Sequence, residues 1–164
     1  MLVIFNNICI SCNDDDMLDD IHSDEGIVKN ILDNACTLWN ASKNDVQEQM
    51  TDYVLINSDA DFLQYTDQSR KIRLSYNFVN DSLQATVVIA PKLTNNPLLS
   101  CLKDYESLGE LSSKDVYYNT SKNTMCFSYD ILSNDTEYSI MGFSPIVSNL
   151  YNGDIIIKVD YKNL

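Results

Sequence analysis

Apolar and polar positions along this chain change period more than once, and each change marks a boundary between helical and extended stretches. Residues 2–10 are apolar and β-branched and predict a strand, closed by the polar turn Asn13-Asp14-Asp15-Asp16. From about 24 to 40 the apolar positions Val28, Ile31, Leu32, Ala35, Leu38 and Trp39 recur at steps of three and four behind acidic residues, which predicts a helix. A second helix is expected over about 44–55, with Val46, Met50, Tyr53 and Val54 on one face and Asn44 with Gln47 resembling a capping box.

The period then drops to two. Ile72, Leu74, Tyr76 and Phe78 alternate with polar residues, Asn80-Asp81-Ser82 turns, and Leu83, Ala85, Val87 and Ile89 return on one face, giving a hairpin over about 71–90 that ends at Pro91. Asn96-Pro97 opens a third helix over about 97–108, with Leu98, Leu102 and Tyr105 along one side and Gly109 as its stop. Met125, Phe127, Tyr129 and Ile131 alternate, Ser133-Asn134-Asp135 turns, and Tyr138, Ile140 and Phe143 continue, which predicts a hairpin over about 123–143. Asn152-Gly153 between apolar runs predicts another over about 146–161. Strands and helices in this order predict an α+β fold with a mainly antiparallel sheet, and 164 residues suit one globular domain, 1–164. No repeat at solenoid spacing and no low-complexity linker interrupts it.

Composition adds one strong bias. Twenty-four acidic residues stand against eleven Lys and Arg, a net charge of -13. Counterion release from a phosphate backbone needs clustered cations, and Arg70, Lys71 and Arg73 form the sole cluster, so direct nucleic-acid binding and attraction to an anionic membrane are not expected. No apolar stretch approaches the length of a membrane-spanning helix, and the N-terminal apolar run lacks the basic flank of a signal peptide. Five cysteines, an odd number in a chain of this size, suit a reducing compartment.

Candidate chemistry is sparse. Cys9 and Cys12 form a C-x-x-C that His22 and Cys36 would extend to four zinc ligands, but the spacing is irregular, and Cys9 and Cys12 fall on opposite faces of a strand; buried thiols fit better. Asn57, Asp59 and Asp61 resemble the first half of a calcium loop, which fails at Phe62, where glycine is needed, and at Gln68, where glutamate is needed. His22, the sole histidine, sits among aspartates, and no phosphate loop, dinucleotide fingerprint or nucleophile elbow occurs. Neither a cofactor nor a set of catalytic residues is therefore expected.

Two surface biases remain. Asp14, Asp15, Asp16, Asp19 and Asp20 concentrate negative charge in a few residues, which either docks a basic partner or solvates a turn ahead of a helix. Ten tyrosines against five phenylalanines, with Tyr117 and Tyr118 adjacent, suit surfaces that become buried against another protein and suit half-exposed strand positions equally. These features favour a non-enzymatic protein that acts by protein–protein contact, with itself or with other assembly subunits. The composition suits a small virus or phage virion component of the connector, tail-completion or accessory type, located in the virion or the host cytoplasm. The alternatives are an acidic inhibitor or chaperone-like module, in one form a DNA mimic, that engages a basic partner, and a carboxylate-dependent hydrolase.

Overall fold

A computed structural model describes residues 38–68, 71–92 and 102–146. Among them lie one short helix, α1 (Lys43–Gln49), and eight strands: β1 (Val54–Asp59), β2 (Phe62–Thr66), β3 (Arg73–Val79), β4 (Ser82–Pro91), β5 (Glu106–Leu111), β6 (Lys114–Asn119), β7 (Thr124–Ser133) and β8 (Thr136–Pro145). All eight belong to one antiparallel sheet in the order β1-β2-β3-β4-β8-β7-β6-β5. The expectation of an α+β fold with three helices is corrected: the described chain is predominantly antiparallel sheet.

Each helix expectation fails for a local reason. Over 44–55 only the first half is helical: Ser42 caps α1 and exchanges hydrogen bonds with Asp45, so the capping box sits two residues earlier than Asn44 and Gln47 suggested. The helix stops at Met50, and the β-branched Val54 and Ile56 continue as strand. Over 97–108 the described part is a turn, in which the Tyr105 N–H donates to the Leu102 carbonyl, followed by β5 from Glu106. Gly109 adopts φ 88° inside a strand bulge rather than ending a helix. Of 24–40 only 38–40 are described, and they are not helical. The strand at 2–10 and the hairpin at 146–161 lie outside the described residues, apart from Ile146.

The hairpins at 71–90 and 123–143 appear as β3–β4 and β7–β8, turning on Asn80-Asp81 and Asn134-Asp135. Both residues of each turn have positive φ, the type I′ geometry that matches strand twist. One sequence expectation is modified inside the first hairpin. Asn77 pairs with Ala85 and Phe78 with Leu83, leaving Gln84 as an extra residue, so Leu83 faces the main core while Val87 and Ile89 face the other side.

The main core lies on one face. Leu63, Tyr65, Leu74, Tyr76, Phe78, Leu83, Val88, Met141 and Phe143 from the sheet pack under Val46 and Met50, with Trp39, Tyr53 and Tyr105 partly buried against them. The 38–41 segment is fastened to the sheet by main-chain bonds with Leu83 and by the Trp39 indole N–H, which donates to the Thr124 hydroxyl at 2.8 Å. Tyr76, almost wholly buried, donates its hydroxyl to the Met50 sulfur and meets Tyr65 edge to face. On the opposite face Val87, Ile89 and Ile140 form a smaller cluster with Tyr129, Ile131 and Tyr138.

Candidate interaction edges

Among the described residues the sheet is open, and its two outer strands are its most exposed elements. All six residues of β1 and all six of β5 are exposed, whereas β2, immediately inside β1, is buried throughout. An edge strand leaves one row of N–H and C=O groups without a ladder partner, so apolar side chains there are notable. On β1 Val54, Leu55 and Ile56 are 44%, 44% and 47% exposed; on β5 Leu108 and Leu111 are 60% and 63% exposed. Isolated exposed apolar residues are ordinary on protein surfaces, but three in succession along a free strand edge are not.

Each edge carries a bulge. Leu55 pairs with Tyr65 and Asn57 with Gln64, which leaves Ile56 over; Ser107 pairs with Tyr117 and Gly109 with Val116, which leaves Leu108 over. The surroundings are acidic: Asp52 precedes β1 and Asp59 ends it, while Asp104, Glu106 and Glu110 flank or occupy β5, all exposed. The cations nearby are Lys43, whose ammonium donates to the Asp59 carbonyl, Lys103, and Lys114, which sits over the Tyr129 ring.

Tyr117 and Tyr118 lie on β6, next to the β5 edge, and both are half-buried. Tyr117 packs against the main core, and burial, followed by the Asp115 and Cys126 charges, raises its phenol above the ordinary value. Tyr118 points to the other face and donates to the Glu106 carboxylate, which holds its phenol proton more tightly than usual. Tyr118 thereby ties β6 to the edge strand.

The remaining sequence candidates fall elsewhere. Cys9, Cys12, His22, Cys36, Asp14, Asp15, Asp16, Asp19 and Asp20 lie outside the described residues. Asn57 and Asp59 belong to β1 and Asp61 to the turn after it, where the Asp59 carboxylate accepts from the Asp61 N–H. Among the described residues no group of three or more His, Cys, Asp or Glu is placed to hold a metal ion, and no helix is long and apolar enough to cross a membrane. The main electrostatic cluster described is Lys92 with Asp130 and Glu137, at 2.8 and 3.4 Å. Burial alone would raise the Asp130 carboxyl, but hydrogen bonds from Lys92 and Ser139 outweigh it and hold the group below its usual value.

Sequence reasoning missed both edge strands. The signal for β1 was the run Val54-Leu55-Ile56, whose first two residues were read as the end of the helix over about 44–55; β5, Glu-Ser-Leu-Gly-Glu-Leu, carries little strand propensity. Comparison with protein-family models, with curated proteins and with solved structures found no match.

Proposed function

We propose that the protein works by contact with other protein chains, as a structural or assembly component, and that the contact runs through the edges of its sheet. The observation that carries this reading is the full-length exposure of β1 and β5 with Val54, Leu55, Ile56, Leu108 and Leu111 on them. Strand addition to an open edge draws affinity from main-chain hydrogen bonds and specificity from side chains on alternate positions. Composition supports a virion setting; the exposed edges support the contact itself, in any assembly.

The test follows the chain's mass. Size-exclusion chromatography with light scattering, on purified protein and on lysate of the cells that produce it, is expected to place the chain, in at least one of the two settings, in species heavier than its own 18.6 kDa. Substituting Val54, Ile56, Leu108 and Leu111 together by Lys should return it to the monomer mass, because lysines on an edge oppose strand addition. A wild-type chain that runs as a monomer in both settings refutes the proposal.

A further inference from the structure

The two edges resemble one another beyond being exposed. The pairs Val54–Thr66, Leu55–Tyr65, Asn57–Gln64, Ser58–Leu63 and Asp59–Phe62 join β1 to β2. Glu106–Tyr118, Ser107–Tyr117, Gly109–Val116, Glu110–Asp115 and Leu111–Lys114 join β5 to β6, every member displaced by 52 positions, bulge included. The same displacement takes Leu63–Tyr76 and Tyr65–Leu74 of β2–β3 to Asp115–Ser128 and Tyr117–Cys126 of β6–β7. It also takes the buried Met50, whose carbonyl accepts from the Tyr53 N–H, to the buried Leu102, whose carbonyl accepts from Tyr105. Asp52-Tyr53 and Asp104-Tyr105 therefore enter the two edge strands in the same way, with the tyrosine half-buried in both.

The relation is a rotation. Arg73–Ile89 in β3–β4 corresponds to Met125–Ser144 in β7–β8, so Val87 corresponds to Gly142, and these two residues are paired with each other. A residue paired with its own counterpart lies on a two-fold axis, and the neighbouring pair Val88–Met141 has Phe143–Thr86 as its image. The copies diverge at the hairpin tips, where β3–β4 carries the extra Gln84 and β7–β8 runs further before Asn134-Asp135.

Resting on the contact reading above, we infer that β1 and β5 are one docking surface presented twice, by two copies of a four-strand unit (50–91 and 102–145), and that each takes a short extended segment of a partner protein carrying alternating apolar and basic residues. Charge complementarity selects that occupant. Asp52 and Asp59 at one edge, and Asp104, Glu106 and Glu110 at the other, belong to a chain of net charge -13 and favour Lys or Arg opposite them. The same acids oppose a second copy of the chain, since edge-on self-pairing sets like charges against each other. The bulges at Ile56 and Leu108 also break the regular ladder that a long matched strand would need.

The test uses the full chain and two synthetic probes, acetyl-(Lys-Val)₃-amide and acetyl-(Glu-Val)₃-amide, followed by calorimetry and by amide chemical shifts. Two equivalents of the basic peptide should bind, perturbing both β1 and β5, and the acidic peptide should not bind. Val54→Lys with Ile56→Lys should leave one equivalent, on β5. Leu108→Lys with Leu111→Lys should leave one, on β1, and all four substitutions should leave none, with circular dichroism confirming that each variant is folded. A single equivalent lost with one edge pair and unaffected by the other overturns the two-site inference and leaves docking at that one edge standing. Equal binding of the two probes overturns the charge selection. Binding of neither probe, or binding unaltered in the four-lysine variant, removes the edges as docking surfaces altogether.

Discussion

The β5–β6 hairpin turns on Ser112-Ser113, and replacing that pair by Asn-Gly should stabilise the protein. Both serines hold left-handed backbone, φ 52° and 61°, as do Asn80-Asp81 at 52° and 61° and Asn134-Asp135 at 48° and 62°. Left-handed backbone costs an ordinary L-residue about 1–2 kcal/mol, less for Asn and Asp, whose short side chains hydrogen-bond locally, and nothing for Gly. Against this, glycine gives the unfolded chain about 0.5–1 kcal/mol of additional entropy. Ser113→Gly should therefore gain roughly 0.5–1 kcal/mol net, with a few tenths more from Ser112→Asn. For a chain of this size about 1 kcal/mol moves Tm by about 2–4 °C. Both serines are exposed, as are their neighbours Leu111 and Lys114, so little else should change. Thermal melts followed by circular dichroism, with Asp135→Gly in the β7–β8 hairpin as a comparison expected to gain less, check the result. An unchanged or lower Tm for the Asn-Gly variant would refute the assignment of strain to this turn.

Two further substitutions probe the interior and the pH response. Thr86 is wholly buried between Tyr76 on β3 and Phe143 on β8, and its hydroxyl has no hydrogen-bond partner among the described residues; Thr86→Val should raise stability by about 1 kcal/mol in urea denaturation, and a loss of that size would show that the hydroxyl is satisfied. Asp130→Asn should cost a few tenths of a kcal/mol at neutral pH, since the Asp130 and Lys92 side chains are 41% and 38% exposed and solvent screens most of their attraction. Because the folded-state carboxyl is held below its unfolded value, this contribution is complete above the ordinary carboxylate range and is lost as the pH falls through the folded value. The stability gap between wild type and Asp130→Asn should close in acid, and a gap that widens there would contradict the direction of the shift.

The strands legible in the sequence are those whose side chains alternate between apolar and polar. In β3, Leu74, Tyr76 and Phe78 alternate with Ser75 and Asn77, and the following Asn80-Asp81 suits a type I′ turn, so that hairpin could be read residue by residue. β2 is buried at all five positions and β5 is exposed at all six, so neither alternates and neither gives a period-two signal. The spacing of Leu98, Leu102 and Tyr105 imitated a helix because Leu102 and Tyr105 are brought together by a turn. The bulge at Gln84 reversed the facing of Leu83 relative to Val87, and no residue at that site announces it. The paired landmarks Asp52-Tyr53 with Asp104-Tyr105, and Asn80-Asp81 with Asn134-Asp135, were visible as letters. The registers align the first pair as a repeat, while the two turns stand at the hairpin tips, where the copies diverge.

The order of the strands explains where exposure concentrates. β1 to β4 pair in sequence and so do β5 to β8, so within each unit every strand contact is a hairpin or a short connection; β4–β8 is the one described strand pair that joins the two units. That seam is buried on both faces, by Val88, Met141 and Phe143 on one side and Val87, Ile89 and Ile140 on the other. Antiparallel pairing of the last strand of each unit closes the interior edges and turns the first strands, β1 and β5, outward. A single chain thereby acquires what an isologous dimer has, a buried central contact and, among the described residues, two symmetry-related outer edges. Because those edges are far apart along the sequence and carry different residues around the same bulge, mutation can alter one and leave the other intact. The fold thus allows the two edges to be tested, and to diverge, independently.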